Sequence, residues 1–241
     1  MVITAHTNNS HEALKQSARA THGLAGRPAV TVMAACPPAA AECTGPLMEA
    51  LTNPDADVVI VPATPRSLWP VHPLALHLTN GSNRKIVFQP GVVVEALRGA
   101  FKNGSASLLT LTGVENVTIE GSGATLRMWR DDYANASLYS HSESRMGLQL
   151  FGVRNLTVRG LAIESTGGDG IYLAGWGGHV VLPNGTRVYV ATRNESKDVR
   201  IEGVHCRDNY RQGLSIISAV NLTVTGSSFT GTNGTCFQTL A

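Results

Sequence analysis

The segment Asn155-Leu-Thr-Val-Arg-Gly160 is one of four copies of a short pattern in this chain. Each copy combines a residue suited to an Asx turn, a short strand rich in β-branched residues and a glycine bend. The other copies are Asn116-Val-Thr-Ile-Glu-Gly121, Asp198-Val-Arg-Ile-Glu-Gly203 and Asn221-Leu-Thr-Val-Thr-Gly226. A pattern that recurs in this way predicts one structural unit repeated along the chain.

A second apolar strand precedes each copy, and it begins eight residues before the copy except at Asp198, where it begins 28 residues before. Its versions are Leu108-Leu109-Thr110-Leu111, Gly147-Leu148-Gln149-Leu150, Gly170-Ile171-Tyr172-Leu173 and Gly213-Leu214-Ser215-Ile216. Alternate residues are apolar, which is typical of a strand with one buried face. We therefore predict that six side chains stack in register inside one core: Leu148, Leu150, Ile171, Leu173, Leu214 and Ile216.

The spacing of the copies predicts a solenoid. The last step, from Asp198 to Asn221, is 23 residues, the length of one β-helix coil, and the two steps before it are 39 and 43 residues. Each longer step therefore holds one coil plus an insertion of about 16–21 residues, at roughly 127–145 and 174–196. We predict an all-β fold, a single-stranded right-handed parallel β-helix, with a continuous core under the stacked coils. The insertions would leave the wall, where binding surfaces are often built.

The ends of the chain differ from the repeat. We expect residues 1–44 to be a poorly structured or leader segment and residues 45–241 to form the β-helix domain. In the domain we predict a short helix over 46–53 and apolar strands over 58–62 and 85–95, with a Pro/Asn/Gly loop between the strands. The last coil stops within six residues of an open edge and shows no recognisable cap, so we expect a solenoid truncated at its C-terminus.

Composition narrows the range of partners. Charged residues make up 15% of the chain and the net charge is +2. No block of Lys and Arg is long enough to follow a phosphate backbone, so nucleic acid is not an expected partner. No apolar run is long enough to span a membrane. The histidines show no metal-ligand pattern, so we expect neither cofactor nor metal, and we expect a monomer.

Asparagine usage favours a secreted or extracytoplasmic protein, although no signal peptide is evident. Of the 14 asparagines, ten begin an Asn-X-Ser/Thr sequon, the acceptor for N-glycosylation. Three of these, Asn116, Asn155 and Asn221, share one repeat position and have turn geometry as an alternative explanation. If the chain is secreted, we expect glycans on Asn135, Asn184 and Asn194, which lie in the insertions. The four cysteines allow three disulfide pairings, or free thiols.

Residues from about 56 to 235 resemble the pectin-lyase-like superfamily of right-handed β-helix proteins, whose members include polygalacturonases, pectate lyases and alginate epimerases. The resemblance rests on the repeat, on Gly167-Gly-Asp-Gly-Ile-Tyr172 and on Arg211-Gln-Gly-Leu-Ser-Ile216. It implies the fold more directly than the reaction, because one fold can host several chemistries. A polysaccharide or another glycan is the partner that it implies.

Asp169 is the first catalytic candidate. The segment Ser165-Thr-Gly-Gly-Asp-Gly-Ile-Tyr172 is similar to the Asn-Thr-Asp-Gly segment of polygalacturonases, whose Asp belongs to a carboxylate set that protonates the leaving oxygen and activates water. We expect Asp169 to project outward from a turn in which Gly168 and Gly170 adopt unusual dihedral angles. Asp208, one coil later, is the second candidate. The alternative is that Asp169 holds the strand entry as an Asx-turn residue.

The sequence also departs from the family. Gln212 stands where polygalacturonases and alginate epimerases carry a histidine, and glutamine does not titrate. Neither the second Asp of the polygalacturonase Asp-Asp motif nor its Arg-Ile-Lys motif has a clear match. These differences leave a non-catalytic glycan-binding or cell-surface protein as the alternative to a polysaccharide hydrolase or lyase.

The remaining candidates are binding residues on the same wall. Arg145 and Arg211 suit a uronate carboxylate or sugar hydroxyls. Tyr172 and Tyr210 are candidates for stacking on sugar faces, and Gln212 for hydrogen bonding. Trp129 and Trp176, one in each insertion, are candidate walls of a groove, with loop anchoring as the alternative. A hydrolase would need Asp169 and Asp208 about 5–10 Å apart across an open groove, and burial of either side chain would remove the pair.

Overall fold

The computed structural model describes residues 3–5, 28–181, 187–233 and 237–239, with side chains described for 28–175, 195–233 only. Within these described residues, three short helices interrupt the strands: α1 (Thr44–Thr52), α2 (Leu78–Gly81) and α3 (Arg130–Ala134). The strands, in chain order, are β1 (Ile3–Ala5), β2 (Thr31–Met33), β3 (Val58–Val61), β4 (Leu68–Val71), β5 (Leu74–His77), β6 (Arg84–Phe88), β7 (Val93–Ala96), β8 (Leu109–Thr112), β9 (Glu115–Glu120), β10 (Thr125–Arg127), β11 (Leu148–Phe151), β12 (Arg154–Arg159), β13 (Ala162–Glu164), β14 (Ile171–Ala174), β15 (Trp176–Val181), β16 (Arg187–Asn194), β17 (Ser196–Glu202), β18 (His205–Arg207), β19 (Leu214–Ile216), β20 (Ala219–Thr225), β21 (Ser228–Thr230) and β22 (Phe237–Thr239).

Three sheets form the walls of a parallel β-helix. Sheet A has the order β1-β20-β17-β12-β9-β6-β3-β2, sheet B the order β21-β18-β13-β10-β7-β4, and sheet C the order β22-β19-β14-β11-β8-β5. Each coil contributes one strand to sheet A, then one to B, then one to C. All pairings within these sheets are parallel except that of β1, which lies antiparallel on β20. The predicted all-β solenoid is confirmed.

The predicted core columns are also confirmed. Leu148 is aligned with Ile171 and Ile171 with Leu214, while Leu150 is aligned with Leu173 and Leu173 with Ile216. All six side chains are buried. Because coils stack about 4.8 Å apart, each of these side chains contacts the equivalent side chains above and below it.

The Asx residues of the repeat form a ladder on sheet A. Asn83, Asn116, Asn155, Asp198 and Asn221 all have φ values between 48° and 57°, in the left-handed region that Asn and Asp tolerate best among residues with a side chain. Their side chains bond from coil to coil. Asn116, Asn155 and Asn221 donate from Nδ2 to the Oδ1 of Asn83, Asn116 and Asp198 at 2.8, 2.9 and 2.9 Å.

The N-terminal coils contain more structure than the sequence predicted. Strands β4 and β5 lie where we predicted a loop. The loop was predicted because Pro65, Pro70 and Pro73 interrupt the apolar pattern. Proline is tolerated at Pro70 because β4 is the edge strand of sheet B. The segment predicted as one strand over 85–95 contains two strands, β6 and β7. Between them the chain turns from sheet A to sheet B.

The described part of the segment 1–44 joins the solenoid. Strand β2 pairs with β3 in sheet A, and a disulfide links Cys36 to Cys43. Helix α1 follows, one or two residues from its predicted bounds, and buries Leu47, Ala50 and Leu51 in the core. Cys206 is a buried free thiol, and Cys236 lies outside the described residues.

Both predicted insertions leave the coils at the predicted places. The first follows β10 and contains α3, while the second is an antiparallel hairpin of β15 and β16. No helix in the described part of the chain is long and apolar enough to cross a membrane.

Candidate functional site

A cleft of about 470 Å³ runs beside sheet B. We call it the axial cleft, and its lining residues are Arg98, Arg127, Met128, Trp129, Arg130, Asp131, Asp132, Ser165 and Asp208. Six of these nine residues are charged. The cleft therefore suits a polar ligand.

The register of sheet B produces the axial cleft. Glu95, Arg127, Glu164 and Arg207 are aligned across four successive coils, and the lining residues follow them at the turn after each strand. Ser165 and Asp208 come directly after aligned strand ends, and both have a φ of 56°. The cleft thus follows the solenoid axis over three coil spacings, or about 14 Å.

The first insertion forms one wall of the cleft. The Trp129 indole donates from Nε1 to the carbonyl oxygen of Ala96 at 2.6 Å, and the Arg98 guanidinium lies 3.7 Å from the indole ring centre. Arg130 donates from Nη1 to the carbonyl oxygens of Asp208 and Gly231, at 3.2 and 3.4 Å. Trp129 is therefore both a loop anchor and a cleft wall, the two roles that the sequence left open.

The arginines of the axial cleft are paired with carboxylates. Arg98 forms an ion pair with Asp132, and Arg127 donates from Nε to Glu95 Oε2 at 2.7 Å. Arg130 Nε lies 3.8 Å from Asp131 Oδ1. Asp208 is exposed. The cleft therefore presents both signs of charge in balance.

A column of buried residues lies at the entry to the strands of sheet C. Within it, the backbone N–H of one residue donates to the side chain one coil before: Met146 to Ser107 Oγ at 3.3 Å, Asp169 to Met146 Sδ at 3.1 Å, and Gln212 to Asp169 Oδ1 at 3.1 Å. We call this the acceptor column, of Ser107, Met146, Asp169 and Gln212. Its side chains satisfy backbone donors at the strand entries, which would otherwise be buried without partners.

Asp169 is part of the wall and does not project outward. Its side chain is 0% exposed, so the predicted outward projection is wrong. Neither Gly168 nor Gly170 has a positive φ. They are needed for close packing, since a Cβ on Gly168 would lie 2.5 Å from the Glu143 carbonyl oxygen and one on Gly170 2.6 Å from that of Gly213.

The environment of Asp169 favours the protonated carboxyl. Burial raises its pKa above the ordinary value of 3.8, and the charge of Glu143 acts in the same direction, while the Ser215 hydroxyl, Arg211 and the Gln212 amide oppose the rise. One carboxyl oxygen, Oδ2, has no hydrogen-bond partner among the residues that the structure describes. Arg211 Nε lies 3.3 Å from the other, Oδ1. Asp169 is therefore a buried acid that pairs with Arg211.

Arg145 lies inside the first insertion. Its side chain is 0% exposed, and it donates from Nε to the Phe101 carbonyl oxygen at 2.9 Å and from Nη2 to that of Ser140 at 3.1 Å. The guanidinium lies 5.3 and 5.4 Å from the ring centres of Tyr133 and Tyr139. Burial lowers the pKa of Arg145. This burial contradicts the predicted contact between Arg145 and a substrate.

The remaining candidates are Gln212, Tyr172 and Tyr210. Gln212 is 8% exposed, and its Oε1 accepts from Ser215 Oγ at 2.8 Å and from Arg211 Nε at 3.0 Å. Tyr172 is half-buried on sheet C, edge-on to Phe151, and Tyr210 is half-buried near His141. The Gln212 side chain thus belongs to the wall, whereas the two tyrosines reach the surface.

The two catalytic candidates have different surroundings. Asp169 contacts Arg211 and Gln212 in the wall, whereas Asp208 lines the axial cleft, which Asp169 does not. Arg98 and Ser165 were missed by sequence reasoning. Extending the repeat register by one residue past each strand of sheet B would have found Ser165. The side chain of Trp176 lies outside the described residues.

Comparisons with known proteins identify the class. The fold and the axial cleft define a parallel β-helix protein with a charged cleft on its wall. A family described as the right handed beta helix region matches residues 98–241, more than half of the chain, and the chain belongs to that family. No curated protein matches the chain significantly.

Two solved structures are similar to the chain. A proposed glycosyl hydrolase from Parabacteroides merdae is 11% identical, with a TM-score of 0.62 over 87% of this chain and 89% of that one. The polygalacturonase from Erwinia carotovora is 15% identical, with a TM-score of 0.44 over 88% of this chain and 72% of that one. The first similarity supports the fold, and the second carries no further argument at that score.

Proposed function

We propose that the chain is a glycan-binding β-helix protein and that an extended polysaccharide lies in the axial cleft. The observation that carries the proposal is the course of the cleft along four successive coils. A site of about 14 Å that follows the solenoid axis suits several sugar units of a polymer better than a single small molecule. Charged side chains and Trp129 offer the polar groups and the ring that sugar hydroxyls and faces require.

A neutral glycan fits the cleft better than a polyuronate. Arg98, Arg127 and Arg130 already have carboxylate partners, so a uronate would have to displace an aspartate or glutamate from each arginine. Hydroxyl groups, by contrast, donate to the carboxylates and accept from the arginines without breaking the ion pairs. The ligand class follows from this balance of charge.

Hydrolysis in the same cleft is the second candidate. Asp131, Asp132 and Asp208 line one cleft, and most glycoside hydrolases use two carboxylates on either side of the scissile bond. A catalytic pair that includes Asp169 is disfavoured because that side chain is buried.

We further propose that the protein is secreted and monomeric. The Cys36–Cys43 disulfide and the ten sequons both suit an oxidising compartment. Purification of the secreted chain and measurement of its mass in solution test both statements.

The Asp208→Gly variant is expected to bind a neutral glycan about tenfold more weakly, a loss of about 1.4 kcal/mol. Glycine adopts the φ of 56° at this position without strain, so the fold should be retained. Affinity is measured by titration against a panel of soluble neutral and acidic polysaccharides, with release of reducing ends measured in parallel.

Asp198→Gly is the matched control. Asp198 is also exposed and also has a φ of 56°, but it belongs to the ladder on sheet A. Its variant should bind as the parent does. Equal affinity of parent and Asp208→Gly for every ligand bound would contradict the proposed site, and preferential binding of acidic polymers would contradict the neutral class. Release of reducing ends that Asp208→Gly abolishes would establish the hydrolase.

A further inference from the structure

The sequons fall into structurally different groups. Asn116, Asn155 and Asn221 are ladder sequons, whose Nδ2 atoms donate to the preceding coil at 2.8–2.9 Å. N-glycosylation attaches the sugar to this nitrogen. A glycan there would have to leave from between two coils that lie about 4.8 Å apart.

Two other sequons lie in loops and have the opposite geometry. In Asn103 and Asn135, the side-chain Oδ1 accepts from the backbone N–H of the sequon serine, Ser105 or Ser137, at 3.0 Å in each. The serine hydroxyl donates to the same oxygen, at 3.0 and 2.7 Å. Both asparagines are exposed, and within the described part of the chain neither Nδ2 donates a hydrogen bond. Each nitrogen is therefore available on the surface.

The loops of Asn103 and Asn135 form one packed layer. Tyr139 Oη accepts from the backbone N–H of Gly99 at 2.8 Å, and the Lys102 ammonium lies 4.1 Å from the Tyr139 ring centre. The layer is held by contacts that use the Nδ2 atom of neither asparagine. A sugar on either nitrogen would extend into solvent and leave these contacts in place.

We propose that Asn103 and Asn135 are N-glycosylation sites of the folded, secreted protein and that the ladder sequons carry no glycan. In each Asx turn, the sequon serine hydroxyl donates to the asparagine Oδ1 and the Nδ2 atom is left on the surface. In the ladder, each Nδ2 atom donates to the neighbouring coil. Asn184 and the side chain of Asn194, also predicted from the sequence, lie outside the described residues.

The test is site-specific occupancy in the full chain, secreted from a eukaryotic host with a fused tag that carries an efficiently used control sequon. Folded protein is collected, digested and analysed by mass spectrometry after enzymatic deglycosylation in heavy-oxygen water. We expect modification at Asn103 and Asn135 and none at the ladder sequons. Occupancy of the tag with both loop sites unmodified would overturn the proposal, as would a glycan on any ladder asparagine.

Variants separate acceptor chemistry from folding. Ser137→Ala should remove the glycan from Asn135, whereas Ser137→Thr, which keeps the sequon, should retain it. Neither variant should change the melting temperature by much. Asn155→Asp, the ladder control, should leave the glycan pattern unchanged but lower the melting temperature by about 2–4 °C, because it removes one donor from the ladder. A glycan lost with Asn155→Asp would show that the ladder position is modified and would refute the assignment.

Discussion

Replacing Arg145 with alanine is expected to lower the free energy of unfolding by about 3–5 kcal/mol. The substitution leaves the carbonyl oxygens of Phe101 and Ser140 without this donor, and the Phe101 oxygen is buried. It also removes the cation that lies against Tyr133 and Tyr139 and opens a large cavity in the first insertion. Since the guanidinium is completely buried, no water replaces these contacts without rearrangement of the loop.

Chemical denaturation of the parent and of two variants measures the effect. Arg154→Ala is the control, because Arg154 has an exposed ion pair with Glu115 and should cost no more than about 1 kcal/mol. A loss below about 1 kcal/mol for Arg145→Ala would show that the first insertion does not depend on this side chain.

The repeat made the fold predictable because its signal is local. The Asx residue, the alternating strand and the glycine lie within six residues in each copy, and stacking then follows from the coil length. Asn83 begins a fifth copy that was not recognised. Arg84 takes the first inward position there and donates to the carbonyl oxygens of Leu51 and Asn53 at the end of α1. A charged side chain therefore replaces an apolar one where the helix end needs a donor.

The axial cleft was harder to predict because sheet B leaves a weak signal. Its strands β10, β13, β18 and β21 have three residues each, too few to show alternation. Their aligned charges, such as Glu95 with Arg127, become visible only after the coils are registered. Asp208 was identified for its position beside Asp169, but its neighbours in the structure are residues of the first insertion.

The burial of Asp169 could not be predicted because its partners come from other coils. Its backbone N–H donates to Met146, 23 residues earlier, and its carboxylate accepts from Gln212, 43 residues later. The local segment Gly167-Gly-Asp-Gly-Ile171 resembles a catalytic turn, and the same glycines are required for close packing. The family resemblance therefore suggests a catalytic role for Asp169, whereas its contacts favour a role in packing the wall.

The Asp169→Asn variant is expected to make the stability of the chain less dependent on pH. The pKa of Asp169 is raised in the folded state, so the folded chain binds more protons than the unfolded chain above the ordinary carboxyl value of 3.8. The contribution of this carboxyl to the free energy of unfolding is therefore fully present below pH 3.8. It is lost as the pH rises through the folded-state pKa. Asparagine keeps the acceptor for the Gln212 amide and has no proton to lose.

Melting temperatures of the parent and of Asp169→Asn, measured from pH 3 to pH 8, test this prediction. The readout is the difference between the two proteins, because the effects of the other titrating groups cancel in it. The advantage of Asp169→Asn should be absent below about pH 4 and grow toward neutral pH. Asp169→Ala, which leaves the buried Gln212 N–H without an acceptor, should cost about 1–3 kcal/mol throughout. If Asp169→Asn were instead less stable than the parent at neutral pH by a margin that shrinks in acid, the native carboxyl would be ionised. Its pair with Arg211 would then outweigh burial, and a catalytic carboxylate at this position would have to be reconsidered.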